Sequence, residues 1–238
     1  MRKNILQLII VFFLLFFLLP LTSCSDNSEN PEERSDIWDI DKDGIPKFVS
    51  TNYIELDKIY RISKFRSSIG HDYSDAFEDC RSMKHYFEPK SELVWSTVKI
   101  YCPVNGKITR VDEEWAGTKL EIVSKDYPSF RFSIFHISKA KDYQIDDEVT
   151  SGEQLGTHIG NQTMSDIAVL VNDPTRQGRM ISYFETITDE IFEIYASRGI
   201  LSREELIISK EDRDANPLTC DGDMFISQDP LENWIILQ

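Results

Sequence analysis

Few side chains in this chain could do chemistry: four histidines (His71, His85, His136, His158), four cysteines (Cys24, Cys80, Cys102, Cys220) and the acidic run Asp39-Ile-Asp41-Lys-Asp43-Gly44. Carboxylates at alternate positions before a glycine are how a calcium loop begins, because a hard cation needs several oxygens on one tight turn. The twelfth position is Ser50, where a bidentate Glu would close the site, and the run is not repeated. That speaks against an EF-hand and leaves Asp39, Asp41 and Asp43 as a lone candidate calcium turn, the alternative being an acidic turn in a tether. The cysteines follow no zinc-finger spacing. No nucleophile elbow supports a Ser-His-Asp hydrolase, and no glycine-rich phosphate loop occurs.

Cys24 is set apart by what precedes it. Arg2 and Lys3 open a stretch that runs almost wholly on Ile, Leu, Val and Phe from Ile5 to Leu21, the layout of a secretory signal. Leu21-Thr22-Ser23-Cys24 resembles the lipobox of bacterial lipoproteins, which implies cleavage after Ser23 and lipidation of the Cys24 thiol. The competing reading is a transmembrane span, for which ~18 apolar residues suffice. Ser25 after the cysteine, where an acidic inner-membrane retention signal is absent, points the expected anchor to the outer membrane. Ser25 to Asp36 carries Ser, Asn, Glu and Pro without an apolar residue, the composition of a flexible tether.

The chain has 26 Lys and Arg against 41 Asp and Glu, a formal net charge of −15, and loss of Arg2 and Lys3 with the signal takes it to −17. Such a surface repels nucleic acid and anionic lipid. With Cys24 lipidated, three cysteines remain, so one bridge and one free thiol is the most an oxidising compartment allows. Cys80 with Cys102 is the preferred pair because they flank one segment; three unbridged thiols is the other reading.

The elements that must position these groups read first as strands: Leu93 to Ile100, Gly106 to Val111, Thr118 to Val123, Phe130 to Ile137 and Ile167 to Val171, separated by Asn-Gly, Ala-Gly and Tyr-Pro breaks. Apolar residues alternate in several, as in Lys119-Leu120-Glu121-Ile122. Ser182 to Glu185 is expected to continue the sheet. Beyond it, Thr188 caps a helix ending at Gly199, and Ser202 with Glu205 and Ser209 with Asp212 offer two more caps. The expected division is a signal (1–23), a lipidated cysteine with an acidic tether (24–45), a β domain (46–185) and a helical appendage (186–238).

Four segments in order resemble the lysostaphin-type, or LytM-like, zinc endopeptidases that cut cell-wall cross-bridges. Gly70-His71-Asp72-Tyr73-Ser74-Asp75 fits the family's His-x-x-x-Asp zinc pair. Tyr101 to Ile108 looks like its Ala-Pro-x-x-Gly-x-Val turn, Phe135-His136-Ile137 like its Tyr-x-His-Leu segment, and Ile145 to Gly156 like its Val-x-x-Gly-x-x-Val-x-x-Gly-Gln-x-Ile-Gly passage. The resemblance covers roughly residues 65 to 172. It implies a mainly β duplicated-hybrid-motif fold, an antiparallel sheet or barrel-sandwich, with the metal site in an open groove.

The departure concerns the third ligand. Where the family carries His-x-His, this chain has Asp166-Ile167-Ala168, so Ala168 offers no ligand atom and Asp166 replaces a catalytic histidine. A catalytic zinc needs three protein ligands and an open position. The expectation is therefore a degenerate member without a required cofactor, with His71 and Asp75 a relic zinc pair and His136 vestigial or assisting. It would bind peptidoglycan or regulate an envelope amidase. The alternatives are a zinc hydrolase completed by His136 or Asp166, and a purely structural lipoprotein. His85 and His158 read as surface or hydrogen-bonded structural residues. The insertion from Phe77 to Lys90 reads as a loop pinned by Cys80, Tyr86 and Phe87, with Arg66, Arg81 and Lys84 the cations of interest in an acidic protein.

Overall fold

The computed structural model describes residues 36–238. Cys24, the apolar stretch before it and most of the expected tether lie outside the described residues.

Alternating apolar residues build one antiparallel sheet. Its strands are β1 (Ile59–Ser63), β2 (His85–Pro89), β3 (Lys99–Tyr101), β4 (Gly106–Glu114), β5 (Gly117–Ser124), β6 (Phe130–Lys139), β7 (Glu148–Val149), β8 (Gln154–His158), β9 (Ser165–Asn172) and β10 (Gln177–Ile181). A strand near the C-terminus, Trp234–Ile236, pairs with β1 and makes one edge. From that edge the order runs β1, β2, β9, β6, β5, β4, β7, with β10 on β9 and β3 joined through β8 to β6. The sheet stays open and does not close into a barrel.

Side chains alternate across a strand, so β9 serves two environments. Ile167, Val169 and Val171 enter the main core with Phe130, Phe132 and Ile134 of β6. Ala168, from the opposite face, joins a second apolar cluster with Phe65, Met83, Phe135 and Met180, against which Leu170 packs. Gly156 has a packing reason: a Cβ there would come within 2.2 Å of the Ser138 carbonyl oxygen on β6.

Residues 183–215 hold three short helices, α1 (Tyr183–Thr186), α2 (Asp189–Ala196) and α3 (Lys210–Ala215). Ser182 and Glu185, expected to extend the sheet, form a capping box that starts α1; reciprocal side-chain bonds to free amides favour a helix start over a strand. Thr188 and Ser209 cap α2 and α3 as expected. The C-terminal stretch is only partly helical. It adds a hairpin of β11 (Cys220–Asp221) and β12 (Met224–Phe225) before the edge strand, β13 (Trp234–Ile236).

Four other expectations change. Residues 85–89 of the insertion are not loop but β2, laddered between β1 and β9. The strand expected from Leu93 shrinks to β3, preceded by a 3-10 turn at Trp95–Thr97. Residues 36–45, assigned to the tether, pack on the domain: Trp38 donates its indole N–H to Gly44 and meets Tyr127 and Phe130 edge-on. The disulfide joins Cys80 to Cys220, with Cα atoms 5.8 Å apart, and not to Cys102. Cys102 is a buried thiol that donates to the Val104 carbonyl, and burial pushes it up to about 12.

Candidate functional site: a groove floored by a lysine-carboxylate pair

In the β2–β9 ladder Tyr86 lies opposite Asp166, and in the β6–β9 ladder Ser133 lies opposite Ala168. Period-two alternation therefore puts Lys84, Tyr86 and Phe135 of β6 on the face that carries Asp166, and His136 joins them through a bulge. Between β5 and β6 the register jumps: Thr118 faces Ile137 and Leu120 faces Ile134, so Phe135 and His136 together oppose Lys119. His136 adopts φ +61°, a left-handed conformation uncommon outside glycine. Bulges of this kind re-aim side chains, and this one turns the His136 ring toward Asp166.

Lys84 is the centre of the floor. Its Nζ lies 2.8 Å from Asp166 Oδ2, with the two side chains 2% and 0% exposed. The same ammonium is 3.5 Å from His71 Nε2 and sits over the rings of Phe135 (3.8 Å) and Tyr73 (4.2 Å). His71 Nδ1 is 2.8 Å from the Asp72 carbonyl and donates to it, which leaves Nε2 as the acceptor facing Lys84. His136 Nε2 is 3.2 Å from Asp166 Oδ1, and its Nδ1 donates to the Ala116 carbonyl at 3.0 Å. Only a ring protonated on both nitrogens also donates to Asp166. Burial, helped by Glu121 and Asp166, pushes the Tyr73 phenol up to about 12.

Above this floor lies a groove of about 630 Å³. Gly70 is required where its wall turns, with φ +77° and a Cβ position only 2.2 Å from the Tyr86 hydroxyl. His71, Lys84, His136, Trp95, Trp115 and Trp234 border the groove.

The residues present do not fit the zinc that the resemblance implies. Where a third ligand would stand, Ala168 is packed in an apolar cluster. Asp75 is committed elsewhere: its oxygens accept from the backbone amides of Phe77 at 2.9 Å and Met180 at 3.0 Å. Asp166 and His71 both face the Lys84 ammonium, which would oppose a second cation at the same place. Among the described residues no group of three or more His, Cys, Asp or Glu is arranged to hold a metal.

That statement includes the candidate calcium turn. Asp39 caps a single helical turn by accepting from the Lys42 amide, Asp41 pairs with Arg179 at 2.7 Å, and Asp43 lies 3.7 Å from Lys42. The three carboxylates diverge onto separate partners.

His85 and His158 are buried structural residues. His85 bonds the Ser63 carbonyl through Nδ1 and the Ser182 hydroxyl through Nε2, while His158 Nδ1 accepts from the Gly160 amide. Burial pushes both imidazoles down to about 4. Arg66 and Arg81 are structural too. Both bind Glu78, and Arg81 reaches Asp214. Of the three cations singled out from sequence, Lys84 alone borders the groove.

No known family profile matches the chain, and no curated protein matches it. Solved structures similar to parts of it include the catalytic domain of the antimicrobial peptidase lysostaphin from Staphylococcus simulans. That match has 16% identity and a TM-score of 0.34, and covers 49% of this chain and 84% of that one. Helicobacter pylori Csd3 matches with 16% identity and a TM-score of 0.43 over 80% of this chain, which spans 45% of the Csd3 chain. The deep-sea M23 metalloprotease pseudoalterin matches with 19% identity and a TM-score of 0.36, over 56% of this chain and 74% of that one.

Proposed function

We propose that this chain is an exported envelope lipoprotein whose LytM-like domain binds cell-wall material without cleaving it. The observation that carries the reading is the Lys84 ammonium, held between Asp166 and His71 where the resemblance would put a metal ion. A fixed internal cation holds Asp166 Oδ2, opposes a second cation beside it and organises the floor without a metal. The groove above it persists, bordered by aromatic rings, so the part of the architecture suited to binding is retained while the part suited to hydrolysis is not. The lipobox-like Leu21-Thr22-Ser23-Cys24 supports anchorage through Cys24, which would hold the domain beside the wall.

The test uses the full chain in detergent. It should co-sediment with purified cell-wall sacculi, leave them uncleaved with or without added zinc, and lose binding when groove residues are replaced. Zinc-dependent release of soluble wall fragments would overturn the non-catalytic reading, and no co-sedimentation would overturn the binding one. Incorporation of labelled fatty acid that vanishes in Cys24→Ser tests the anchor.

A further inference from the structure

We propose that the groove takes a neutral saccharide, stacked on its tryptophans; this deepens the binding reading above and rests on it. The chain has four tryptophans, and three of them, Trp95, Trp115 and Trp234, border this one groove, with one face of Trp234 already covered by the Arg61 guanidinium at 4.1 Å. Trp115 is the most telling. It stands at the turn between β4 and β5 with 82% of its surface exposed, beside the His136 ring at 6.5 Å. An indole left that open on the rim of a cleft has no role in packing, and its large apolar face with a polar N–H edge suits a ligand that is itself amphipathic.

Charge and backbone pairing narrow the class. Every Lys and Arg bordering the groove already has a carboxylate of its own: Arg61 with Glu88 at 2.5 Å, Lys84 with Asp166 at 2.8 Å, and Lys119 with Asp112 at 3.0 Å. An anionic ligand would have to break one of those pairs. An extended peptide that docks by adding a strand needs an open edge. β2 and β6, which supply Tyr86, Phe135 and His136 to the groove, are each laddered on both sides, and the open edge strand β13 borders it only through Trp234, so pentaglycine is the comparison that tests strand addition.

What remains available is stacking surface, neutral hydrogen-bonding groups and the Glu114 carboxylate, which can accept from a sugar hydroxyl. The side chains of Asn161 and Gln162, on the loop bordering the groove, make no hydrogen bond to other described residues. A pyranose matches this set. Its C–H face lies flat on an indole, while its equatorial hydroxyls and any acetamido groups reach planar amides at the edge. The volume of about 630 Å³ suits a short oligosaccharide.

The experiment is calorimetric titration of the full chain in detergent with two probes, the tetramers of β-1,4-linked N-acetylglucosamine and of β-1,4-linked glucose. Pentaglycine serves as the peptide comparison. Saturable binding of at least one saccharide is expected, weakened about tenfold or more in Trp115→Ala and largely kept in Trp115→Phe. Trp115 is exposed, so the variant should fold, and circular dichroism checks that it does. Binding of neither saccharide, binding of pentaglycine in their place, or saccharide binding indifferent to Trp115→Ala and to an Asn161→Ala/Gln162→Ala double variant would overturn the inference. If the saccharides fail while sacculi still co-sediment, this inference falls and the binding reading stands; if both fail, both fall.

Discussion

Lys84 Nζ and Asp166 Oδ2 lie 2.8 Å apart, joining residues 82 positions apart in the chain, with almost no solvent reaching either side chain. Both charges are taken out of water, and each is tolerable because the other is there. His71 and His136 approach the pair from opposite partners, His71 at the ammonium and His136 at the carboxylate.

Breaking that pair should therefore cost far more than losing a surface ion pair. Lys84→Met leaves the Asp166 carboxylate buried without its counter-charge, and a loss of roughly 3–5 kcal/mol in unfolding free energy is expected. The double variant Lys84→Met/Asp166→Leu should recover much of it. Urea unfolding of the wild type and both variants measures this, and a cost below ~1 kcal/mol for Lys84→Met would mean the pair is effectively solvated.

Stability should fall on mild acidification because of His85 and His158. Burial holds both rings at about 4 in the folded protein, below the ordinary 6.5, so they are neutral when folded and take up protons on unfolding. The contribution is fully present above pH 6.5 and is lost as pH falls from there toward 4, on the order of 3 kcal/mol per histidine. Urea midpoints at pH 7.5, 6 and 4.5 should decline progressively, and His85→Gln should flatten the decline. A pH-independent midpoint across that window would exclude both assignments.

Asp75 should behave as a structural residue. Its oxygens hold the Phe77 and Met180 amides, so Asp75→Ala should cost about 1–3 kcal/mol of stability through the unpaired amides. Binding to sacculi should be unchanged once the variant is folded. Metal content that depends on Asp75, measured on the folded variant, would show it to be a ligand instead.

The Cys80–Cys220 bridge closes a separation of 140 residues, for which chain-entropy arguments give a stabilisation of roughly 3–5 kcal/mol. Cys80→Ser/Cys220→Ser should unfold at correspondingly lower urea. Cys102, buried and with its thiol held at about 12, should resist a thiol reagent until the protein unfolds. A Cys80–Cys102 peptide in a non-reducing digest would contradict this arrangement.

Much of the sheet was legible because β4, β5, β6 and β9 carry alternation or long apolar runs between clear turn signals. β2 was not, since four of its five residues, His85, Tyr86, Phe87 and Pro89, are buried, leaving no polar face to mark a period of two. At the site, the sequence drew attention to Asp166 and Ala168 and placed Lys84 among three cations of interest. What selects Lys84 is the carboxylate across the β2–β9 ladder, and a lone lysine carries no sign of its burial. The cysteine count allowed one bridge, but only the approach of the C-terminal hairpin to the insertion decides which two sulfurs meet. Asp39, Asp41 and Asp43 misled because their spacing matches a calcium loop, while a helix cap and Arg179 use the same oxygens.

The central claim is that an internal ammonium, and no metal, organises the groove. Elemental analysis of the full chain, purified without chelator and then equilibrated with zinc and desalted, tests it most directly, alongside His71→Ala. The account predicts far less than one zinc per chain in both proteins. One zinc per chain in the wild type that disappears in His71→Ala would contradict it.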